Sequence, residues 1–467
     1  MHTSSVSHKA RPRTLEPKRN QVSLAETSPA TAKAQSKDVL ESPSFRLWER
    51  PRNLPTSSET KPWNLSIKNN NMPRNVLAQQ TPYRAATIEF FAKPLSTVSW
   101  IPLAEEARNR HLDNHNSLLA IGSCLGDGGD WIRLVRLQVS EIDGKSEEEA
   151  STELSLNTVT TTRVGDVISS FCPYNSLSSN SPTNNVLLFY GTLQGQVCGL
   201  ELSLEEPERS ARRLSCKLSS PYVPNEAIVG LTQLPFWNQL VAATNLGNLR
   251  IYQVSNQLES LSLVESSDAF EREISEPVSF TDICTVSETM LAVSGITGSV
   301  CCFDIRSSFK ESQRLSIGAS GISCTCVCVD SGQPNYIFAG TSQGELVAWD
   351  RRIVRESQAP LFRIAAHHGR VSRVGVSPVW NPGVAFTSGK NDCQVLSWDF
   401  ASAAQMETTF GRRYKDAYSC WEANIQKEQV RNIARDSVFS LNDMDLHPTA
   451  PLVAYVSSSS SLNVVCL

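Results

Sequence analysis

The sequence contains no unbroken apolar run of the roughly 18 residues that a membrane-spanning helix needs, so no membrane insertion is predicted. Its N-terminus also lacks the apolar core of a secretory signal. With only seven histidines, the chain has no His-x-His or His-Glu-x-x-His spacing, and it has no glycine-rich phosphate loop. We therefore expect no enzyme, and no catalytic residue, metal, cofactor or small-molecule substrate.

Charge is divided unevenly along the chain. Residues 1–86 hold fourteen Lys and Arg against six Asp and Glu, whereas the remaining residues hold 29 against 41. The acidic body argues against direct nucleic-acid binding, which depends on clustered cations that meet phosphates. Residues 1–85 are rich in Ser, Pro and Asn without a strand or helix period, so they predict a disordered basic tail. Within the tail, Phe45–Pro51 is either a docking motif or a chance apolar cluster.

Thirteen cysteines occur without disulfide-like spacing, and without a secretory signal they predict reduced thiols in an intracellular protein. Cys324, Cys326 and Cys328 alternate along a predicted strand and would share one face. A zinc site would need a second ligand pair, which the nearby sequence lacks, so we interpret the three as buried apolar residues. We likewise interpret Asp127–Asp130, DGGD, as a hairpin turn rather than a calcium site.

After the tail, the chain repeats one unit: an apolar strand, a turn of Gly, Ser or Asn, and a second strand. Seven copies occur, at Leu118–Leu137, Leu187–Leu202, Leu240–Val254, Met290–Arg306, Tyr336–Arg352, Val384–Phe400 and Leu452–Leu467. The middle copies recur about every 50 residues, which is near the length of a propeller blade. We therefore predict an all-β fold, a seven-bladed WD40-type β-propeller over residues 86–467.

The last unit is one outer strand short, because the sequence stops on its third strand. Thr87–Lys93, TIEFFAK, precedes the first strand of the first unit. We predict that this segment supplies the missing outer strand and joins the first blade to the last, which removes two sheet edges.

The ends of the third strands carry the side chains that we expect to organise a blade. In the fifth unit Trp349 would pack against neighbouring strands and Asp350 would finish its strand. In the sixth unit, His367 or His368, Ser388, Asp392 and Trp398 have the spacing of a buried hydrogen-bond network.

A Ser, His and Asp set also suggests a hydrolase. We recognise no nucleophile elbow, and we expect the histidine to satisfy its buried neighbours, so we reject that alternative.

Two third strands end in Phe303-Asp-Ile-Arg306 and Trp349-Asp-Arg-Arg352. A Trp-Asp-x-Arg ending resembles that of substrate receptors for cullin-based ubiquitin ligases, in which such arginines contact the ligase adaptor. The simpler interpretation is that Arg306 and Arg352 reach over the strand surface.

Four stretches carry a further resemblance, of which the first is the most specific: IEFFAKPLSTVSWIPL (88–103), IGSCLGDGGDWIRLVRL (121–137), AGTSQGELVAWDRR (339–352) and PLFRIAAHHGRVSRVGVSPVWNPGVAFTSGKNDCQVLSWDF (360–400). With the long insertion before the last unit, they resemble a WD-repeat nucleoporin family, the Nup-forty-three family of the Y-shaped outer-ring complex of the nuclear pore. The basic tail is not part of the family pattern, and residues 141–236 match it poorly.

The resemblance implies a non-catalytic scaffold subunit in the nuclear envelope. Its partners would be an α-solenoid nucleoporin and other nucleoporins of the short arm of the Y complex, and its role would be in protein and mRNA transport. Family members also accompany the complex to kinetochores in mitosis.

Overall fold

A computed structural model shows 28 β-strands in the described part of the chain, arranged as seven four-stranded antiparallel sheets. The structure describes residues 84–89, 94–102, 115–124, 130–142, 151–174, 185–203, 216–219, 225–234, 237–255, 261–267, 279–307, 310–352, 359–377, 379–380, 382–400, 430–435 and 439–467. The expected tail and Phe45–Pro51 lie outside the described residues. Within the described ranges, no helix is both long enough and apolar enough to cross a bilayer.

We number the sheets as blades 1 to 7 in chain order, each from its innermost strand outwards. Blade 1 contains β2 Leu95–Ile101, β3 His115–Ser123, β4 Trp131–Ile142 and β5 Ser151–Arg163. Blade 2 contains β6 Ile168–Tyr174, β7 Asn185–Thr192, β8 Val197–Ser203 and β9 Cys216–Ser219. Blade 3 contains β10 Ile228–Leu234, β11 Gln239–Thr244, β12 Leu249–Val254 and β13 Leu261–Ser267. Blade 4 contains β14 Phe280–Ser287, β15 Met290–Gly295, β16 Ser299–Asp304 and β17 Lys310–Ser316, with a 3-10 turn at Ile305–Ser307.

The remaining blades follow the same order. Blade 5 contains β18 Cys324–Val329, β19 Tyr336–Thr341, β20 Glu345–Asp350 and β21 Phe362–Ala365. Blade 6 contains β22 Val371–Val376, β23 Val384–Gly389, β24 Gln394–Asp399 and β25 Val430–Arg435. Blade 7 contains β26 Leu441–Leu446, β27 Leu452–Ser457, β28 Ser461–Cys466 and, outermost, β1 Arg84–Glu89.

The second strand of a blade explains the apolar runs in the sequence. β19, β23 and β27 are buried along their whole length because a neighbouring blade covers each face of the sheet. Strands covered on both faces read as continuous apolar segments rather than as alternating ones. The core is correspondingly divided into seven apolar clusters, each formed by two consecutive blades.

The seven innermost strands pack side by side in a closed circle, and β26 of the last blade contacts β2 of the first. The fold is therefore a seven-bladed WD40-type β-propeller, as the repeat pattern predicted. Each innermost strand also has a register shift near its first residue, and this bulge falls between Leu95 and Thr97 in blade 1.

The N-terminal strand closes the last blade. β1 pairs antiparallel with β28 from Arg84 opposite Cys466 to Glu89 opposite Ser461, and Thr87 donates a 2.7 Å hydrogen bond to the Asn463 amide oxygen. The pairing includes the first three residues of the predicted closing segment, Thr87–Lys93, and begins three residues earlier. The last four residues of the predicted segment lie outside the described residues.

Candidate functional site

The sixth blade contains a buried network at the start of its innermost strand. His367 Nδ1 lies 2.9 Å from Asp392 Oδ2, and His367 Nε2 lies 2.7 Å from Thr387 Oγ1. Trp398 Nε1 donates to the same hydroxyl at 2.9 Å. Because an ionised carboxylate only accepts, the network places a proton on His367 Nδ1, which donates it to Asp392.

The network also shifts the pKa of its carboxyl group. Burial would raise the pKa of Asp392, but hydrogen bonds from His367 and from the amides of His368 and Gln394 outweigh it and lower that pKa. Gly389 lets the pair approach the sheet, since a Cβ there would lie 2.0 Å from the Asp392 carboxylate and 2.3 Å from the imidazole. The arrangement ties the entry of the innermost strand to the turn between the second and third strands.

Ser388 does not belong to this network, contrary to the sequence prediction. Its neighbour Thr387 takes the expected place between His367 and Trp398. Successive strand residues point to opposite faces of the sheet. Choosing Ser388 instead of Thr387 therefore placed the predicted hydroxyl on the wrong face of β23. The Ser388 hydroxyl is fully buried without a hydrogen-bond partner. A hydrolase triad with Ser388 as nucleophile therefore has no structural basis.

A second serine has the local sequence of a hydrolase motif. Gly340–Gly344, GTSQG, matches Gly-x-Ser-x-Gly in its letters. A nucleophile elbow links a strand to a helix, whereas here the segment links β19 to β20 as a hairpin turn. Ser342 accepts a 3.1 Å hydrogen bond from the Ser323 amide, so it fixes the entry of β18.

The expected roles of Trp349 and Asp350 can be located in blade 5. Trp349 is buried in the cluster between blades 4 and 5, and its indole donates to the Ser316 carbonyl at 3.4 Å. Asp350 accepts three bonds from the Arg352 guanidinium, at 2.9, 3.1 and 2.7 Å, and a fourth from the Arg352 amide. Asp350 therefore fixes the strand end by capping the turn that follows it.

Arg306 and Arg352 occupy equivalent positions at the ends of the third strands of blades 4 and 5. Arg306 contacts Asp304 through Nε at 3.0 Å and Nη2 at 2.6 Å, and these hydrogen bonds lower the pKa of Asp304 to about 2. Arg352 also donates to the Tyr336 hydroxyl at 2.8 Å. Their side chains are 65% and 50% exposed, so both guanidinium groups remain accessible to a partner.

The cysteines that were considered as metal ligands line the packed strands. Cys324 and Cys326 are buried in adjacent core clusters, and Cys328 is partly buried. Burial raises the pKa of Cys326 to about 11 and of Cys328 to about 12, so these thiols stay protonated. The Asp130 carboxylate accepts a 3.0 Å hydrogen bond from the Ser123 hydroxyl. Among the described residues, no group of His, Cys, Asp and Glu side chains is arranged to hold a metal ion.

Sequence reasoning missed a charged cluster on the innermost strands. The Arg373 guanidinium of blade 6 lies 2.8 Å from Asp282 of blade 4 and 3.7 Å from Asp443 of blade 7. It therefore connects three blades around the channel. No local motif predicts it, because the partners are 91 and 70 residues apart and face each other only after the ring closes.

A second cluster that sequence reasoning missed lies in blade 3, at a place similar to that of the histidine network in blade 6. Glu226 and Arg250 form a buried ion pair, and the Asn248 amide donates to the Glu226 carboxylate at 2.9 Å. The pair joins the entry of β10 to the start of β12, close to where the histidine network lies in blade 6. The spacing that identified the histidine network could not find a cluster built from different residue types.

Comparison with known proteins supports the fold. One solved structure, "Crystal structure of WD40 beta propeller domain of Doa1", superposes with a TM-score of 0.51 at 15% identity. The match covers 82% of this chain and 97% of that domain. No family model matches the sequence, and no curated protein matches it. At this identity the likeness shows the fold alone, which is that of a WD40 propeller.

Proposed function

We propose that this protein is a non-catalytic scaffold subunit of the nuclear pore, in the outer-ring Y complex. WD40 propellers are typically protein-interaction scaffolds, and the rigid ring offers loop faces and a rim for large partner surfaces. The more specific assignment depends on the sequence resemblance to the Nup-forty-three nucleoporins.

The observation that carries the proposal is where the family's opening element lies. Of residues 88–103, Ile88 and Glu89 lie in the strand that closes blade 7, and Leu95–Ile101 form β2 of blade 1. Trp100, the aromatic residue of that element, is buried and donates through its indole to the Asp445 carbonyl at 3.2 Å. The most specific part of the resemblance thus coincides with the contact that closes the ring.

The proposed partners are an α-solenoid nucleoporin and other subunits of the Y-complex short arm. The proposed location is the nuclear pore in the nuclear envelope, with a role in protein and mRNA transport and at kinetochores in mitosis. Affinity purification of the full-length chain, followed by mass spectrometry, tests this proposal. Recovery of stoichiometric outer-ring nucleoporins is expected, and recovery of cullin and adaptor subunits instead would refute it.

The exposure of Arg306 and Arg352 on adjacent blades favours a second candidate, a substrate receptor of a cullin-based ubiquitin ligase. Under this alternative, Arg306→Glu with Arg352→Glu should abolish adaptor binding. Under the nuclear pore proposal the same variant should keep its nucleoporins. Arg363→Glu is a matched control, because Arg363 is also an exposed arginine paired with a carboxylate, that of Glu345 at 2.8 Å.

A further inference from the structure

Three adjacent blades expose one large apolar side chain each on the same face of the ring. Leu193, Leu246 and Ile296 lie in the turns between the second and third strands of blades 2, 3 and 4, and they are 50%, 51% and 52% exposed. Single exposed apolar residues are common, whereas exposed apolar residues on neighbouring turns of one face make a candidate interaction site. We call these three residues the apolar arc.

The equivalent turns of the next blades are polar. Ser342 and Gln343 occupy the turn in blade 5, and Lys390 and Asn391 begin the turn in blade 6. Blade 7 has a run of serines at 457–461. Turn geometry therefore does not demand an apolar residue here, and its presence on blades 2 to 4 needs another cause.

The apolar arc is held away from the core by the backbone of its turns. The Leu193 amide donates to the Val167 carbonyl at 3.1 Å, and the Ile296 amide donates to the Ser279 carbonyl at 3.0 Å. These bonds fasten the turns to the residues that precede β6 and β14. Each turn ends in a glycine with a φ between 73° and 83°, which fixes its shape. The backbone of these turns is thus fixed before a partner binds, which lowers the entropic cost of binding.

The same face carries unpaired positive charge in blade 6. Arg370 and Lys390 are exposed, and neither has an ion-pair partner among the described residues. Burial, and then repulsion from Arg370, lowers the pKa of Lys390. Beside the apolar arc, the Asp166 carboxylate is occupied by the amides of Val167 and Gln194 at 2.7 and 2.8 Å. The face therefore combines three exposed apolar side chains on blades 2 to 4 with two exposed cations on blade 6, and Phe439 is exposed beside them at the entry of blade 7.

We propose that this face binds an acidic amphipathic segment of a partner protein, with apolar side chains on the apolar arc and carboxylates near Arg370 and Lys390. This inference deepens the proposed scaffold role and rests on it, because it names the face that holds the partner. The opposite face, which exposes Trp237, Val379, Arg306 and Arg352, would then stay free for other contacts.

Site-specific photocrosslinking in the full-length chain tests the location. A photoreactive residue at position 246 should crosslink a partner segment that contains both apolar and acidic residues, whereas one at position 237, on the opposite face, should not. Crosslinks from 237 without any from 246, or a basic segment at 246, would overturn the inference.

Binding of the crosslinked partner, once purified, tests the chemistry. Leu193→Ser, Leu246→Ser and Ile296→Ser together should weaken binding at least about a hundredfold, since buried apolar anchors each contribute about tenfold or more. Arg370→Glu with Lys390→Glu should weaken it and reduce its salt dependence. Trp237→Ser with Val379→Ser is the control, which should bind as the parent does. Equal binding by the triple variant, with an unchanged melting temperature, would refute the role of the apolar arc.

The two proposals fail separately. A segment crosslinked from 246 that belongs to a protein outside the outer ring leaves the surface valid and refutes the nuclear pore assignment. An outer-ring nucleoporin crosslinked only from 237 supports the nuclear pore assignment and refutes the proposed surface.

Discussion

The junction between blades 7 and 1 and the junction between blades 2 and 3 are built differently. At the first, Asp443 accepts from the Thr97 hydroxyl at 2.6 Å and from the Val98 amide at 3.1 Å. At the second, the Leu231 amide donates to the Ser170 hydroxyl at 3.1 Å. A charged acceptor thus holds the junction between blades 7 and 1, and a neutral acceptor holds the junction between blades 2 and 3. Both junctions also have an apolar cluster.

Chain connectivity explains this difference. Blades 2 and 3 are consecutive in the chain, whereas the hydrogen bonds of the other junction join residues 345 or 346 apart. Closing so long a loop costs more entropy than keeping neighbours together. Charge-assisted hydrogen bonds are stronger than neutral ones, so they offset this cost where non-covalent contacts alone must close the ring. They are not confined to that junction, because the Val327 amide of blade 5 donates to the Asp282 carboxylate of blade 4 at 3.1 Å.

Burying carboxylates at the closing junction has its own cost. Burial raises the pKa of Asp443, while Arg373 and the hydrogen bonds from Thr97 and Val98 oppose that rise. Burial also raises the pKa of Asp445, to about 6. The closing junction is therefore sensitive to pH and to the loss of a single carboxylate, and the neutral junction should not be.

Asp443→Ala should have the largest effect. It removes the acceptor of Thr97 and of the Val98 amide, which lie in a buried strand, and it takes one carboxylate from Arg373. We expect the free energy of unfolding in urea to fall by about 3 kcal/mol. Hydrogen exchange should rise first in β1, β2 and β28. A uniform rise over all blades would show that this junction is not the weak point.

Asn442→Ala should have a smaller effect at the same junction. The Asn442 amide donates to the Leu95 carbonyl at 2.6 Å, which joins the bulge of β26 to the start of β2. Loss of one neutral hydrogen bond should cost about 1 kcal/mol, measured by urea unfolding. Ser372→Ala is the matched control, because Ser372 donates to the Leu441 carbonyl from the equivalent bulge in blade 6. A larger loss for Ser372→Ala would contradict the special status of the closing junction.

Much of this architecture could be predicted from the sequence because its signals are local. The hairpin repeat determined the number of blades, and the unpaired last strand pointed to the segment that begins at Thr87. His367, Asp392 and Trp398 were found from their spacing, and the structure brings them together. A choice between Thr387 and Ser388 needs the strand register, which shifts near the start of each innermost strand and cannot be read from alternation alone.

The contacts that distinguish the junctions could not be predicted in this way. Asp443 and Asp445 occur in LNDMDL, which reads as an ordinary half-exposed strand. Their partners Thr97 and Trp100 lie at the other end of the domain, and only the closed ring makes them neighbours. The ion pair of Glu226 and Arg250 was not predicted for a related reason, since no general motif links those residue types at that spacing.

Asp445→Asn should change how stability depends on pH. The pKa of Asp445 is about 6 in the folded chain and about 3.9 when unfolded, so its protonation stabilises the fold at low pH. That contribution is full below about pH 4 and is lost as the pH rises through about 6. The unfolding free energy of the parent should therefore fall by about 1 kcal/mol relative to the variant between pH 5 and 8. A pH-independent difference in urea unfolding would show that Asp445 does not titrate in this range.

Ser170→Ala, at the neutral junction, should have the smallest effect. It leaves the Leu231 amide without its hydroxyl acceptor near the wall of the channel. Because Ser170 is only partly buried, water can replace the hydroxyl, and the loss should stay below about 1 kcal/mol at every pH from 5 to 8. Equilibrium urea unfolding beside Asp443→Ala measures the contrast directly. If the two variants lose equal stability, the closing junction has no special need for charged acceptors, and the apolar clusters alone hold the ring.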